Sequence, residues 1–198
     1  MISEALLEKF GALRVSLKKK EMLFEIDTTP RFYYQVISGE IKMGNLNEDG
    51  KEYIQGLFSK GSSFGEPPLF GEMKYPAYAM AVEDSLVWQL EKSRFFELLK
   101  SNPDAHLKVT KTLAKRLHYK ATMVAGISTE NATDRLLNLM DYFKEHIHKI
   151  PGDKLYRVEL SRQQLADLTG LRVETVIRAV KELENAREVQ IKSRKIYR

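Results

Sequence analysis

The sequence predicts an α+β protein with an N-terminal β-roll, a long central helix and a C-terminal winged helix-turn-helix. Two observations predict this fold class. Short β-branched and aromatic runs alternate with turn residues up to about residue 90, and beyond it apolar residues recur every three or four positions. The segment Leu160–Glu184 also carries a cap, a turn glycine and two apolar faces, spaced as in a helix-turn-helix.

Short strands are predicted throughout the N-terminal part, residues 1–102. Turn signals such as Ser38-Gly39 and Lys60-Gly61-Ser62 separate them. Many short strands at this spacing are typical of a small barrel or jelly roll, which we interpret as a β-roll. The predicted strands are Phe32–Ile37, Glu40–Asn45, Tyr53–Phe58, Tyr78–Val82 and Ser85–Leu90.

A long helix is predicted in the middle of the chain. A short helix, Glu91–Lys100, precedes it, and Pro103 suits its first turn, from which it extends to about Ile127. Its small and apolar residues form a heptad-like seam, which predicts a partner helix and makes residues 103–128 a dimerisation helix. A helix buried on one side within a monomer is the alternative. The seam consists of Leu107, Thr110, Ala114, Leu117, Ala121 and Val124.

The last part of the chain, residues 129–198, contains the most specific pattern. Ser161 is a favourable N-cap, and Gln164 three residues later completes a capping box. Gly170 lies where the chain must reverse direction, because glycine adopts a positive φ at little cost. A second helix follows at about Arg172–Asn185, and we interpret it as a recognition helix.

Glu174 and Arg178 are predicted to read bases, because they lie four residues apart on one face near the start of the second helix. Arginine can bond guanine O6 and N7 together, and glutamate can accept a hydrogen bond from cytosine N4. An exposed ion pair between the two side chains is the alternative. Val173 either contacts a thymine methyl group or belongs to the core, and the sequence favours neither.

Residues around the recognition helix are predicted to contact phosphates, since Lys and Arg outnumber Asp and Glu over Ser161–Arg198. A strand at Leu155–Leu160 leads into this region, and the runs Glu188–Ile191 and Lys195–Tyr197 predict a wing with a basic tip. On charge alone, a solvated surface is the alternative. The predicted phosphate contacts are Ser161, Arg162, Gln163, Arg172, Thr175, Lys181, Lys192 and Arg194.

Composition excludes several classes of function. The chain has 198 residues and no cysteine, which excludes disulfides, thiol catalysis and cysteine-held iron–sulfur clusters. No apolar run is long enough to span a membrane, and the first residues lack a secretory pattern, so we expect a cytoplasmic protein. The four histidines form no obvious haem or metal constellation, and no nucleophile–base pair is found. We therefore predict neither an enzyme nor a metal site.

Over nearly its whole length, the chain resembles the Crp/Fnr superfamily of transcription regulators. Val36–Ile41 resembles the family's strand–glycine–strand signature, and Gly61 followed by Phe64-Gly65-Glu66 is similar to the stretch beside its effector pocket. Ala132–Leu136 resembles the opening of the family's DNA-binding domain, and Leu160–Glu184 is similar to its winged helix-turn-helix.

The resemblance also implies roles for residues of the second helix. Glu174 and Arg178 stand where family members carry the glutamate and arginine that read bases. Val173-Glu174 is more similar to the Fnr variant, V-E-x-x-[SG]-R, than to the R-E of members that bind cyclic AMP. Ile177 replaces the small residue of that variant, so the specificity of the site departs from the pattern.

The effector pocket that the resemblance implies comprises Gly65-Glu66, Tyr75-Pro76 and Lys120-Ala121. Members that bind cyclic AMP hold its phosphate with an arginine–serine pair, and Tyr75-Pro76 stands in that place. Tyrosine carries no charge and proline has no N–H, whereas a guanidinium binds phosphate by charge-assisted bonds. Lys120-Ala121 likewise replaces the threonine–serine pair that reads adenine. We therefore expect weak or absent cyclic AMP binding, with another small molecule or none in the pocket.

The resemblance implies a homodimer that places two recognition helices in successive major grooves of a near-palindromic DNA site. RNA polymerase is the further partner that it implies. A sensor subunit that controls a protein partner through the β-roll is the alternative function, and the winged helix-turn-helix argues against it.

Overall fold

The computed structural model describes residues 1–46, 52–127, 131–148, 150–152 and 154–198. The side chains of residues 119, 122–127, 146 and 147 lie outside this description. The chain divides into two compact units, Met1–Lys115 and Arg116–Arg198, and the division falls within the long helix. The first unit is rich in strands and the second in helices, which confirms the predicted α+β class.

The first unit contains two four-stranded sheets, with strand orders β1-β8-β3-β6 and β2-β7-β4-β5. All of the strand pairs are antiparallel. The strands are β1 (Leu13–Leu17), β2 (Met22–Phe24), β3 (Phe32–Ser38), β4 (Ile41–Leu46), β5 (Glu52–Phe58), β6 (Ser63–Phe64), β7 (Tyr78–Ala81) and β8 (Ser85–Glu91). The helices are α1 (Glu4–Lys9), α2 (Pro67–Gly71), α3 (Lys92–Ser101) and α4, which spans Pro103–Ile127 and continues into the second unit.

All of the strands predicted in the first unit are confirmed, but three short ones were missed there: β1, β2 and β6. β1 is largely exposed, and β2 and β6 have three and two residues, so none of them shows a clear alternation of buried and exposed positions.

Strand β3 is buried on both faces, which explains why its apolar residues do not alternate with exposed polar ones. Tyr34 belongs to the cluster between the sheets, together with Phe24 and Phe64. Its neighbour Tyr33 points to the opposite face and stacks on Phe95 of α3, with ring centroids 4.4 Å apart. One strand therefore connects the interior of the roll to its covering helices.

Helix α4 has one buried and one exposed stripe. Val109 is fully buried in the same cluster as Leu98 and Ala105. The predicted seam lies on the other side, with Leu107 55% and Leu117 71% exposed. Thr110, Ala114 and Ala121 are also exposed, and the side chain of Val124 lies outside the description. The described residues of the seam are thus uncovered in a single chain.

The second unit is a three-helix core with a two-stranded wing. Helix α5 packs against both helices of the helix-turn-helix. Its elements after α4 are α5 (Ala132–Tyr142), a π-helix (Phe143–Ile147), α6 (Arg162–Thr169), α7 (Val173–Asn185), β9 (Gln190–Lys192) and β10 (Lys195–Tyr197).

The predicted strand at Leu155–Leu160 does not form. Instead, Arg157 makes a single bridge to Tyr197, and the Val158 N–H donates to the Ile196 carbonyl at 2.9 Å. Because β10 has only three residues, the segment pairs over Tyr156–Val158 alone, where the backbones of Tyr156 and Arg198 also exchange two hydrogen bonds, at 2.6 and 2.8 Å.

Arg198 ties the wing to helix α5. Its Nε and Nη2 donate to the two carboxylate oxygens of Asp141 at 2.7 and 2.9 Å. Its Nη1 donates to the backbone carbonyl and to the carboxylate of Glu188 at 2.9 and 2.8 Å. The Arg198 side chain is 24% exposed, so this bidentate pair is better shielded than a surface ion pair.

We expect Arg198→Ala to destabilise the wing by about 2 kcal/mol, because it leaves the Asp141 carboxylate without its charged donor. Hydrogen exchange followed by mass spectrometry should show about thirtyfold less protection in peptides of β9 and β10. Arg157→Ala is the matched control, since its pair with Glu159 is 3.5 Å long and about half exposed. The control should change protection by less than about twofold, and an equal effect of both variants would contradict this role of Arg198.

Candidate functional site

Local sequence rules position the helix-turn-helix as predicted. Ser161 caps α6, because its Oγ accepts from the Gln164 N–H at 3.1 Å and its N–H donates to Gln164 Oε1 at 2.8 Å. Gly170 ends the helix with a φ of 71°, in the left-handed region. The Leu171 N–H then donates to the Ala166 carbonyl at 3.1 Å. The capping box and the turn glycine are both confirmed.

Helix α7 has one apolar and one polar face. Its buried residues are Val176, Ala179, Val180 and Leu183. The opposite face carries Glu174, Ile177, Arg178 and Lys181, all of which are exposed. We call these last four residues the reading face. A period of 3.6 residues places them within an arc of about 100°, so they present one continuous surface.

Glu174 and Arg178 lie together on the reading face without pairing. In the described part of the chain, no ion pair or hydrogen bond joins the two side chains. Lys181, one turn further along, forms an ion pair with Glu184 at 2.5 Å. The glutamate and the arginine therefore keep their hydrogen-bonding groups open to solvent. Val173 is half-buried at the first position of the helix.

The residues predicted to contact phosphates lie at the ends and along the sides of α6 and α7 and in the wing. Arg162 is half-buried, and its Nη1 donates to the Arg194 carbonyl at 3.3 Å, which joins the start of α6 to the tip of the wing. Burial lowers the pKa of Arg162 from its ordinary value, but a guanidinium remains charged. Gln163 is exposed, and its amide donates to Asp167 at 2.8 Å. Thr175 is half-buried, and the exposed members are Ser161, Arg172, Lys192 and Arg194.

The tip of the wing is a two-residue turn. Lys192 pairs with Lys195, and Ser193 and Arg194 between them have φ values of 47° and 64°. Two central residues at positive φ are the signature of a type I′ hairpin turn. The turn places Lys192, Arg194 and Lys195, all exposed, at one end of the hairpin.

Gly65, Glu66 and Tyr75, predicted to line an effector pocket, lie together in the β-roll. A side chain at Gly65 would lie 3.2 Å from both Phe24 and Tyr75, so a glycine is required there. Glu66 is fully buried, and the Ser63 hydroxyl donates to its carboxylate.

Tyr75 occupies the predicted phosphate position as a buried aromatic ring. It is 2% exposed and stacks on Phe24, with ring centroids 3.7 Å apart. Its hydroxyl has no hydrogen-bond partner among the described residues. Burial raises the pKa of that hydroxyl, and nearby Tyr34 and Glu66 raise it further, so the group stays neutral. The site therefore offers a phosphate no positive charge from this position.

The other predicted pocket residues are exposed. Pro76 is exposed, and its carbonyl accepts from Asn45 Nδ2 at 2.8 Å. Lys120 and Ala121 are exposed on α4, within the second unit.

A cavity of about 360 Å³ lies beside Tyr75. Sequence reasoning missed the aromatic residues that form its wall, although their spacing on β3, at Phe32 and Tyr34, was a usable signal. The cavity is lined by Met22, Leu23, Phe24, Glu25, Thr28, Thr29, Arg31, Phe32, Tyr34 and Tyr75.

Among the described residues, no group of three or more His, Asp or Glu side chains is arranged to hold a metal ion. Within the same residues, no helix combines the length and the apolar character that crossing a membrane requires.

Two protein families match this chain, one in each unit. The cyclic nucleotide-binding domain family matches residues 14–102. The Crp-like helix-turn-helix domain family matches residues 133–197. The first match covers the β-roll and the second covers the helix-turn-helix with its wing.

Known regulators are similar to this chain in sequence or in fold. The cAMP-activated global transcriptional regulator CRP of Pasteurella multocida is 27% identical over 153 residues, which is 77% of this chain and 73% of the relative. The c-di-GMP-responsive regulator CLP of Xanthomonas campestris superposes with a TM-score of 0.75 at 21% identity, covering 98% of each chain. A CooA mutant of Carboxydothermus hydrogenoformans gives a TM-score of 0.78 at 17% identity, covering 100% of this chain and 86% of that one.

Proposed function

Because the chain belongs to the Crp/Fnr superfamily of DNA-binding transcription regulators, we propose that it recognises a specific double-stranded DNA site through helix α7 as a homodimer. The observation that carries the proposal is the reading face, where Glu174 and Arg178 are exposed and unpaired with each other. The family comprises transcription regulators and not enzymes, and we assign this chain no catalytic step.

The geometry of α7 suits the major groove. A recognition helix contacts base edges with residues near its N-terminus, and Glu174 and Arg178 lie in the first two turns. The arginine would bond guanine and the glutamate would accept from cytosine. Val173, at the first helical position, is a third proposed base contact.

Phosphate contacts would hold the helix in register. Ser161, Arg172, Lys192 and Arg194 are exposed around the reading face. Such contacts position a protein on the duplex and make affinity depend on salt, but they carry no sequence information. The proposed set is completed by Arg162, Gln163, Thr175 and Lys181. Arg162 bonds the backbone of Arg194 and so helps to position the tip of the wing.

We expect selection from random duplex DNA to yield a near-palindromic consensus, and Glu174→Ala and Arg178→Ala to change it. Each bidentate base contact discriminates by about 1–3 kcal/mol, so each variant should lose preference at one position in each half-site. Lys192→Ala is the matched control, because loss of a phosphate contact should weaken all sequences alike. A wild-type protein that yields no consensus, or variants that keep it unchanged, would overturn the base-reading assignment.

The exposed seam of α4 supports the homodimer. Leu107 and Leu117 are large apolar residues at heptad-related positions, and both are more than half exposed in one chain. Burying such a stripe against a second copy removes apolar surface from water. Two copies related by a twofold axis would present two reading faces to one palindromic site.

We expect sedimentation at micromolar concentration to give a species of about 46 kDa, twice the 22.9 kDa of one chain. Leu117→Glu should shift the protein towards monomer, because the new charge would have to be buried at the seam. Leu13→Glu is a matched control, since Leu13 is 67% exposed and belongs to β1 and not to the seam. A wild-type protein that is monomeric at this concentration would contradict the proposal that two copies bind two half-sites.

The β-roll is proposed as a sensor domain whose effector is not cyclic AMP. The family match supports a small-molecule site. Tyr75, buried and stacked on Phe24, supplies an aromatic ring where a cyclic phosphate would need a cation. An effector of another class, or no effector, is compatible with this site.

We expect calorimetry to detect no cyclic AMP binding at micromolar concentrations. The same titration of a cyclic AMP-activated member of the family, which should give a clear heat signal, is the control. A micromolar dissociation constant for this chain would show that the buried tyrosine does not prevent phosphate binding.

RNA polymerase is the further partner that we propose, since regulators of this family act on transcription. Because DNA and RNA polymerase are its proposed partners, we propose that the protein acts in the cytoplasm.

A further inference from the structure

Ile177 is an apolar side chain at one edge of a reading face whose other three residues are charged. It is 54% exposed, whereas the neighbouring Val176 is fully buried. Glu174 lies three residues before it on the helix, and Arg178 directly follows it. An isolated exposed isoleucine is ordinary on a protein surface. This one lies on the face that, under the proposed function, loses its water when the helix enters DNA.

The major groove offers an apolar side chain one specific partner. Base edges there present hydrogen-bond donors and acceptors, and the 5-methyl group of thymine is the apolar feature. An apolar side chain beside a polar edge leaves that edge without a partner, whereas contact with the methyl group removes apolar surface from water. Ile177 should therefore favour a thymine over the other bases.

We propose that Ile177 is a specificity-determining residue that reads the 5-methyl group of one thymine in each half-site, an inference that rests on the proposed DNA-binding function. The rise of the helix places Ile177 about 4.5 Å along the axis from Glu174 and about 1.5 Å from Arg178. Base pairs are about 3.4 Å apart, so the thymine lies within one or two base pairs of those read by these two residues.

The side chain is suited to this contact because it is stiff. A β-branched residue in a helix has one strongly preferred χ1 rotamer, so little side-chain freedom is lost when the methyl group is bound. Val173 is also β-branched, but it is half-buried at the first helical position and lies one turn away from Ile177. Because residues four positions apart are neighbours on a helix, separate substitutions are needed to tell their contacts apart.

Deoxyuridine tests the inference, because it differs from thymidine by that methyl group alone. Starting from the selected consensus duplex, each thymine is replaced by deoxyuridine in both half-sites, and affinity is measured by fluorescence anisotropy at fixed salt. For one thymine, wild-type affinity should fall by about fourfold per half-site, or about fifteenfold for the dimer. For Ile177→Ala, the same replacement should change affinity by less than twofold.

Two further variants isolate the contact. Leu155→Ala removes an equally exposed apolar side chain (55% exposed) outside the reading face, and it should keep full sensitivity to deoxyuridine. Val173→Ala should also keep sensitivity at the thymine assigned to Ile177. Circular dichroism and sedimentation identical to wild type would establish that Ile177→Ala is folded and assembled.

The outcomes separate the inference from the function on which it rests. If the wild-type protein selects no consensus, the proposed function fails. If it selects a consensus whose thymines are all insensitive to deoxyuridine, or one without thymine, the function stands and the inference is wrong. The inference is also wrong if Ile177→Ala remains as sensitive as wild type, because another residue then reads the methyl group.

Discussion

The burial of one apolar stripe of α7 is the constraint on which the interface depends. Val176, Ala179, Val180 and Leu183 are each at most 4% exposed. A helix rotates by about 100° per residue, so these four positions determine which side chains point outward. The capping box on α6 and the left-handed Gly170 set where the second helix begins. The reading face is therefore a consequence of core packing, because it consists of the side chains that the core leaves exposed.

The β-roll has the family's scaffold, but a buried aromatic residue stands at one of the positions expected to line its effector pocket. The glycine and glutamate of Gly65-Glu66 remain, and Glu66 is bonded within the fold by Ser63. Tyr75, however, has joined the aromatic cluster of Phe24, Tyr34 and Phe64 between the sheets. A residue that we expected to line an effector pocket thus contributes to the core, and ring stacking stabilises it.

Sequence reasoning succeeded where local rules decide the structure. Ser161 with Gln164, and Gly170, identify a cap and a turn because these residue types act within a few positions. The stacking of Tyr75 on Phe24 was not predictable, since it joins residues far apart in the chain. The strand expected at Leu155–Leu160 failed for a similar reason, because its ladder depended on the length of a distant partner. Whether Glu174 and Arg178 pair with each other also required coordinates, as their spacing permits both arrangements.

The turn at the tip of the wing bears on how this protein could be stabilised. Ser193 and Arg194 both adopt positive φ, a conformation that costs an ordinary L-residue about 1–2 kcal/mol and glycine almost nothing. Asn-Gly would suit this type I′ turn better. Replacing Arg194 by glycine would thus exchange a cation at the hairpin end for a relaxed backbone. At Arg194, therefore, a substitution that raises thermal stability would also remove a positive charge that favours binding of a polyanion.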